Sequence, residues 1–205
     1  MIVTLGDIII DRLDELPFMD KFAGIIRVLT YKEQGPNNTF IRKSFPADCK
    51  ISLDECKKNN RYLDLCPDSK KKSVIYLEDN GIRPERIEGD WVYWVASIDL
   101  IAWLNLPLLG AETCSYSSIA MQGIFSKILI PQFNYENFNY VTINVSGIKP
   151  KSVNPFLKYS YDETVNQFLM YPYDYFVLQL EVKFRMNKKC FKVEDLNSPI
   201  DCLVK

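Results

Sequence analysis

Two long stretches of this chain alternate apolar and non-apolar positions with a period of two, the repeat of a β-strand whose faces differ. In residues 90–105, Val92, Trp94, Ala96, Ile98, Leu100, Ala102 and Leu104 form one set. The other set mixes aromatic and polar groups: Trp91, Tyr93, Val95, Ser97, Asp99, Ile101, Trp103 and Asn105. In residues 175–187, Phe176, Leu178, Leu180, Val182, Phe184 and Met186 alternate with a largely charged set that includes Glu181, Lys183 and Arg185. A strand of that length reaches about 40 Å at roughly 3.4 Å per residue. Two such strands are expected to pair antiparallel in one sheet, with the core built around the first, which holds all three tryptophans.

The rest of the chain supplies the partners. Ile8, Ile9, Leu13 and Leu16 fall at helical spacing behind a Thr4-x-x-Asp7 cap signal, and Pro17 closes the run. Residues 24–31 are rich in β-branched side chains and read as a strand, ended by the turn cluster at 34–38. Residues 40–51 are extended, and Pro46 points to an edge position or a bulge. A strand at 73–78 is expected to turn at Asp79-Asn80-Gly81. Helical spacing returns in Ile119, Ala120, Gly123, Ile124, Lys127 and Ile128, and alternation returns in Val141, Ile143 and Val145. Ser160-x-x-Glu163 has the form of a capping box, predicting a short helix that ends at Tyr171-Pro172. The sum is an α+β fold: a mainly antiparallel sheet with long central strands and two to three helices packed on one face. It is expected as a single domain over residues 1–189, with a charged loop insertion at about 54–72 and a C-terminal tail at 190–205.

Composition narrows the chemistry. The chain has 205 residues, 47% of them apolar, with 25 basic and 26 acidic side chains, so no overall charge draws it to nucleic acid or an anionic membrane. Its first residues lack a basic region and a cleavage site, and no apolar run reaches the ~18 residues of a membrane span, so a soluble, unsecreted protein is expected. Six cysteines without a CxxC pair are expected as reduced thiols. The sequence contains no histidine, which removes every imidazole base and every histidine-containing zinc site.

The sharpest enzymatic constellation is Asp99 with Glu181-Val182-Lys183. Metal-dependent nucleases of the PD-(D/E)xK type place an acid on one strand and E-x-K on its neighbour, two carboxylates holding Mg²⁺ and the lysine steadying charge. A charged outer strand face yields the same triplet without chemistry. No phosphate-cradling glycine motif occurs. Asp11, Asp14 and Glu15 on the first helix, the basic run Lys70, Lys71 and Lys72, and the aromatic run Tyr171, Tyr173, Tyr175 and Phe176 each have a structural account as a solvated or packed face. Cys190 and Cys202 lack companion ligands. No catalytic, cofactor-binding or metal-binding residue is therefore assigned, no cofactor is expected, and the chain is read as a non-enzyme.

The layout formed by the opening helix into Ile25 to Tyr31, the extended Phe45 to Cys49, the Trp94 to Trp103 strand, the Ile119 to Ile130 helix and the Phe176 to Met186 strand resembles the tail-terminator and head-to-tail connector proteins of tailed bacteriophages. That resemblance implies a structural virion protein, made in the bacterial host cytoplasm and assembled at the head–tail junction. It implies a homo-oligomeric ring of about six or twelve copies, portal, connector or tail proteins as neighbours, and a lumen that passes DNA without reading its sequence. The insertion at 54–72 and the cysteine-bearing tail depart from the compact form of that family. The competing readings are the nuclease and a monomeric protein-binding module, which predicts one exposed apolar patch without self-association.

Overall fold

The computed structural model describes residues 1–34, 40–110, 116–129, 132–135, 138–160 and 167–191. In chain order these form helix α1 (Ile2–Leu13), strands β1 (Lys21–Gln34) and β2 (Phe40–Asp48), and the short helix α2 (Leu53–Lys58). Strands β3 (Ser73–Glu88) and β4 (Trp91–Asn105), helix α3 (Tyr116–Ile128), and strands β5 (Phe133–Tyr135), β6 (Phe138–Ile148) and β7 (Tyr173–Asn187) follow. All seven strands join one sheet in the order β2-β1-β3-β4-β7-β6-β5.

The two long alternating strands pair as their patterns predict. β4 and β7 are antiparallel from Trp91↔Asn187 to Asn105↔Tyr173 without a break in register. Equal period on both strands sets Val92, Trp94, Ala96, Ile98, Leu100 and Ala102 opposite Met186, Phe184, Val182, Leu180, Leu178 and Phe176 on one face. The sheet is mixed rather than wholly antiparallel, because β1 runs parallel to β3 from Lys21↔Val74 to Ile25↔Leu77. β2 brings the chain back to the starting end of β1, and residues 49–72, which carry α2, complete the crossover of roughly a dozen or more residues that a parallel neighbour needs.

One face of the sheet carries the helices. Leu5, Ile8, Ile9 and Leu13 of α1 and Ala120, Ile124 and Ile128 of α3 pack with Ile75 and Leu77 of β3, Ile98 and Leu100 of β4, and Leu178 and Leu180 of β7. α1 lies so close to β1 that a Cβ on Gly6 would stand 2.7 Å from Ile25 Cγ1 and 2.9 Å from the Ile25 backbone nitrogen. The expected cap at Thr4 is not used. The helix begins three residues earlier, at Ile2, with Met1 in the capping position and no side-chain hydrogen bond there.

The opposite face is covered at one end only. Val74, Tyr76, Ile101, Trp103, Tyr175 and Val177 form a second core beneath Phe156, Tyr159 and Leu65. Trp103 is fully buried, stacked on Tyr173 at 5.4 Å between ring centroids, and its indole N–H donates to the Phe168 carbonyl. Leu65 comes from the 54–72 stretch, which folds into α2 and a 3₁₀ turn over Arg61–Leu65 and buries Cys56, Leu65 and Cys66 while most of its charged side chains face solvent.

Two local expectations change. The turn at Asp79-Asn80-Gly81 is absorbed as a bulge, with Gly81 at φ 110° and its N–H on Asp79 Oδ1, and β3 runs on to Glu88 before turning at Gly89. An irregularity of this kind costs a pair of ladder bonds but leaves the strand intact. Of the helix expected after Ser160, residues 161–166 lie outside the described residues, and 167–169 form a 3₁₀ turn. The 192–205 part of the expected tail also lies outside them, while Lys188–Phe191 form a 3₁₀ turn directly after β7.

Candidate functional site

The face opposite the helices changes character row by row, because each cross-strand row places one residue from each of β3, β4, β7 and β6 side by side. At one end stand the buried aromatic rows of Trp103 and Tyr76. Next comes a row that pairs Glu78 with Asp99 and Asp99 with Gln179. Beyond Ser97 and Glu181 lies a row of Arg83, Val95, Lys183 and Thr142, and then one of Arg86, Tyr93, Arg185 and Asn139.

A strap made by residues 149–160 lies over the first of these rows and crosses the sheet from the end of β6 to β2. Three of its lysines hold carboxylates rooted in the sheet: Lys149 on Asp99, Lys151 on Asp174 and Lys158 on Glu78. Tyr159 adds its hydroxyl to Glu78 at 2.8 Å, and Tyr175 donates to the Lys151 carbonyl at 2.8 Å. At its far end Ser160 N–H donates to the Ser44 carbonyl at 2.7 Å, and Ser44 N–H returns to Ser160 Oγ at 3.1 Å. That exchange closes part of the outer edge of β2, where an unpaired strand otherwise invites another chain. Beneath the strap Glu78, Asp99, Lys149, Asn154 and Lys158 line a cleft of about 250 Å³. Asp99 is buried, with one oxygen on Lys149 and the other without a hydrogen-bond partner.

The outer rows are built differently. The Arg185 guanidinium sits between two rings, 4.4 Å from the Trp91 centroid and 3.6 Å from that of Tyr140, and reaches the Tyr93 hydroxyl at 3.4 Å. Arg86 stacks on Tyr93 at 4.1 Å and pairs with Glu88 at 2.7 Å. Such stacks are favourable by roughly 0.5–2 kcal/mol each and fix the guanidinium plane. Tyr140 is held for this contact in the left-handed region at φ 56°, and its N–H is taken by Asn134 Oδ1 at 3.0 Å. Arg83 and Arg185 are in no ion pair among the described residues.

The nuclease constellation is dispersed over this face. Glu181 faces Ser97 rather than Asp99, and Lys183 closes on it at 3.3 Å and on Glu85 at 3.6 Å. Asp99 belongs to Lys149 instead. Among the described residues no three His, Cys, Asp or Glu side chains stand close enough to hold a metal ion. α1 ends at Leu13, so Asp14 is its C-cap and Glu15 lies beyond it; Asp7 pairs with Lys50 at 2.8 Å and Glu15 with Lys127 at 2.5 Å, while Asp11 and Asp14 are exposed and in no ion pair among the described residues. The Lys127 ammonium holds the Glu15 carboxyl below its usual range. The run Lys70 to Lys72 is not one patch, since Lys71 turns inward and donates to the carbonyls of Leu63 and Cys66. In the aromatic run Tyr173, Tyr175 and Phe176 are packed and Tyr171 is exposed.

Sequence reasoning did not find the strap. Its signal is three lysines spaced among Pro150, Asn154 and Pro155, between two strands, together with a lone carboxylate inside an otherwise apolar stretch of β4.

The ends of the sheet carry apolar side chains. The β1–β2 and β3–β4 hairpins turn at the same end, because β1 and β3 are parallel, and no β1–β3 pair lies beyond Ile25↔Leu77 among the described residues, so they separate into two arms. Phe40 on one arm is 71% exposed and Ile87 on the other 62%. At the opposite end, past Asn105 and Tyr173, Met170 is 70% and Tyr171 68% exposed beside Leu108. No protein-family model matches the chain, and no curated protein matches its sequence. No described helix is long and apolar enough to cross a membrane.

Proposed function

We propose that this chain is a structural virion protein of a tailed phage, a ring-forming connector or tail terminator at the head–tail junction. The observation that carries the reading is that exposed apolar side chains stand at both ends of the sheet, in addition to Leu157 on the strap and Ile119 on α3. Two hairpin arms present Phe40, Ile41 and Ile87 at one end of the sheet, and Leu108, Met170 and Tyr171 stand at the other. A component held between two stacked neighbours needs contact surfaces at both ends, whereas a monomeric binding module needs one. The β3–β4 arm is braced by cation–π stacks and the strap by its ion pairs, which lowers the entropic cost of assembly. The layout of α1, β1, β2, β4, α3 and β7 resembles that of connector proteins.

Sedimentation velocity of the purified chain over a wide concentration range tests the proposal. Discrete species several times the monomer mass of 23.9 kDa are the expected result. Replacing Phe40 and Ile87 by Ser is expected to leave the fold and to weaken attachment to whichever neighbour meets the arms, because each loses roughly 1.5–3 kcal/mol of apolar burial at the contact.

A further inference from the structure

We infer, resting on the ring reading, that copies of this chain associate front to back: the cation–aromatic end of the sheet face on one copy takes Asp11 and Asp14 of α1 on the next. Arg185 is half-buried and fixed between Trp91 and Tyr140, and Arg83 is exposed on the neighbouring row. Neither has a carboxylate partner among the described residues, although Arg86 and Lys183 on the same rows do. A guanidinium held in place by flanking rings has little rotamer freedom left to lose, so it is prepared for a carboxylate that arrives from outside.

The complementary charges lie on the other side of the molecule. α1 packs on the helix face, and of the four acids Asp7, Asp11, Asp14 and Glu15 on and just after it, only Asp7 and Glu15 are in ion pairs among the described residues. Asp11 near the end of the helix and Asp14 at its C-cap are exposed. One copy cannot satisfy its own pair, because the sheet stands between donor and acceptor. A two-fold contact needs both patches on one shared surface, which their opposite placement forbids. What remains is a heterologous contact, the kind that closes into a ring when the rotation is right.

A phosphodiester backbone is the other anion this face could meet. Two features favour protein carboxylates. Trp91, Tyr93 and Tyr140 each already carry a guanidinium on one ring face, which leaves little platform for bases. Glu85, Glu88 and Glu181 are interleaved along the same rows, and they repel a continuous line of phosphates while leaving places for two separate carboxylates.

The test uses the full chain in two variants, D11K/D14K and R83E/R185E, with circular dichroism as the check on folding. Each alone is expected to raise the concentration needed for assembly by roughly a hundredfold, since like charges then face each other across the contact. An equimolar mixture is expected to assemble again with the variants alternating, because the two altered faces then meet as Lys against Glu and the two intact faces as Arg against Asp. Should R185E disturb the arm, R83E alone mixed with D11K/D14K carries the same logic with a smaller effect. Assembly of D11K/D14K at the wild-type concentration overturns the pairing while leaving the ring reading in place. So does a mixture that fails to recover when both variants are folded. A wild-type chain that never associates overturns the ring reading and this inference together. Binding of a fluorescent oligothymidine that is lost in R83E/R185E while assembly is untouched assigns the face to nucleic acid and overturns the pairing.

Discussion

Asp99 on the central strand and Lys149 at the start of the strap form an ion pair whose two members are buried very differently: the aspartate side chain is 4% exposed and the lysine 31%. Removing the lysine leaves a buried carboxylate without its counter-ion. Removing the carboxylate leaves a lysine that can swing into solvent. Lys149→Ala is therefore expected to cost about 3 kcal/mol of stability, and Asp99→Asn about 1 kcal/mol. Urea melts of the two variants check this, and equal losses would remove the asymmetry on which the strap's anchoring is argued.

The approach of α1 to β1 makes a second prediction. Gly6→Ala places a methyl group against the backbone of Ile25, which cannot rotate away as a side chain end can. The helix must shift outward, and a loss of about 1–3 kcal/mol is expected, measured by the same melts. Alanine at a solvent-facing helix glycine stabilises by up to ~1 kcal/mol, so the sign of the effect alone decides whether the contact is as close as described.

The thiols give a third. Burial first of all pushes the Cys66 thiol up to about 12, against an ordinary 9.0, and its S–H lies on the Tyr62 carbonyl at 3.4 Å. A pKa about three units higher leaves roughly a thousandth of the thiolate of an exposed cysteine at neutral pH, and the thiolate is the reactive form. Burial also raises Cys56 and Cys49. Iodoacetamide at pH 8 is expected to leave Cys66 unmodified in the native protein and to modify it in denaturant, read by peptide mass spectrometry. Labelling of Cys66 at the rate of a free thiol in the folded chain contradicts the burial of the 61–66 turn.

The β4–β7 pair was legible in the sequence because both strands carry the same period over the same length, and alternation that long has one solution. α1 and α3 were legible from Ile9 and Leu13, and from Ala120, Ile124 and Ile128, which recur at helical spacing and are buried. The parallel β1–β3 contact was not, since a strand's pattern records which face is buried and not which neighbour it has. Nor was the length of β3, because Asp79, Asn80 and Gly81 suit a bulge as well as a turn. Asp99, Glu181 and Lys183 were rightly placed on one sheet face, but their partners depend on Lys149 and Glu85, which only the folded register brings near. Arg185's place between Trp91 and Tyr140 depends on a left-handed tyrosine that no periodicity announces.

Electron microscopy of the negatively stained protein, prepared at the concentration where sedimentation gives its largest discrete species, tests the central claim most directly. Closed rings with a single rotational symmetry and an open centre are the predicted result. Uniform compact particles of monomer or dimer size under those conditions would contradict it.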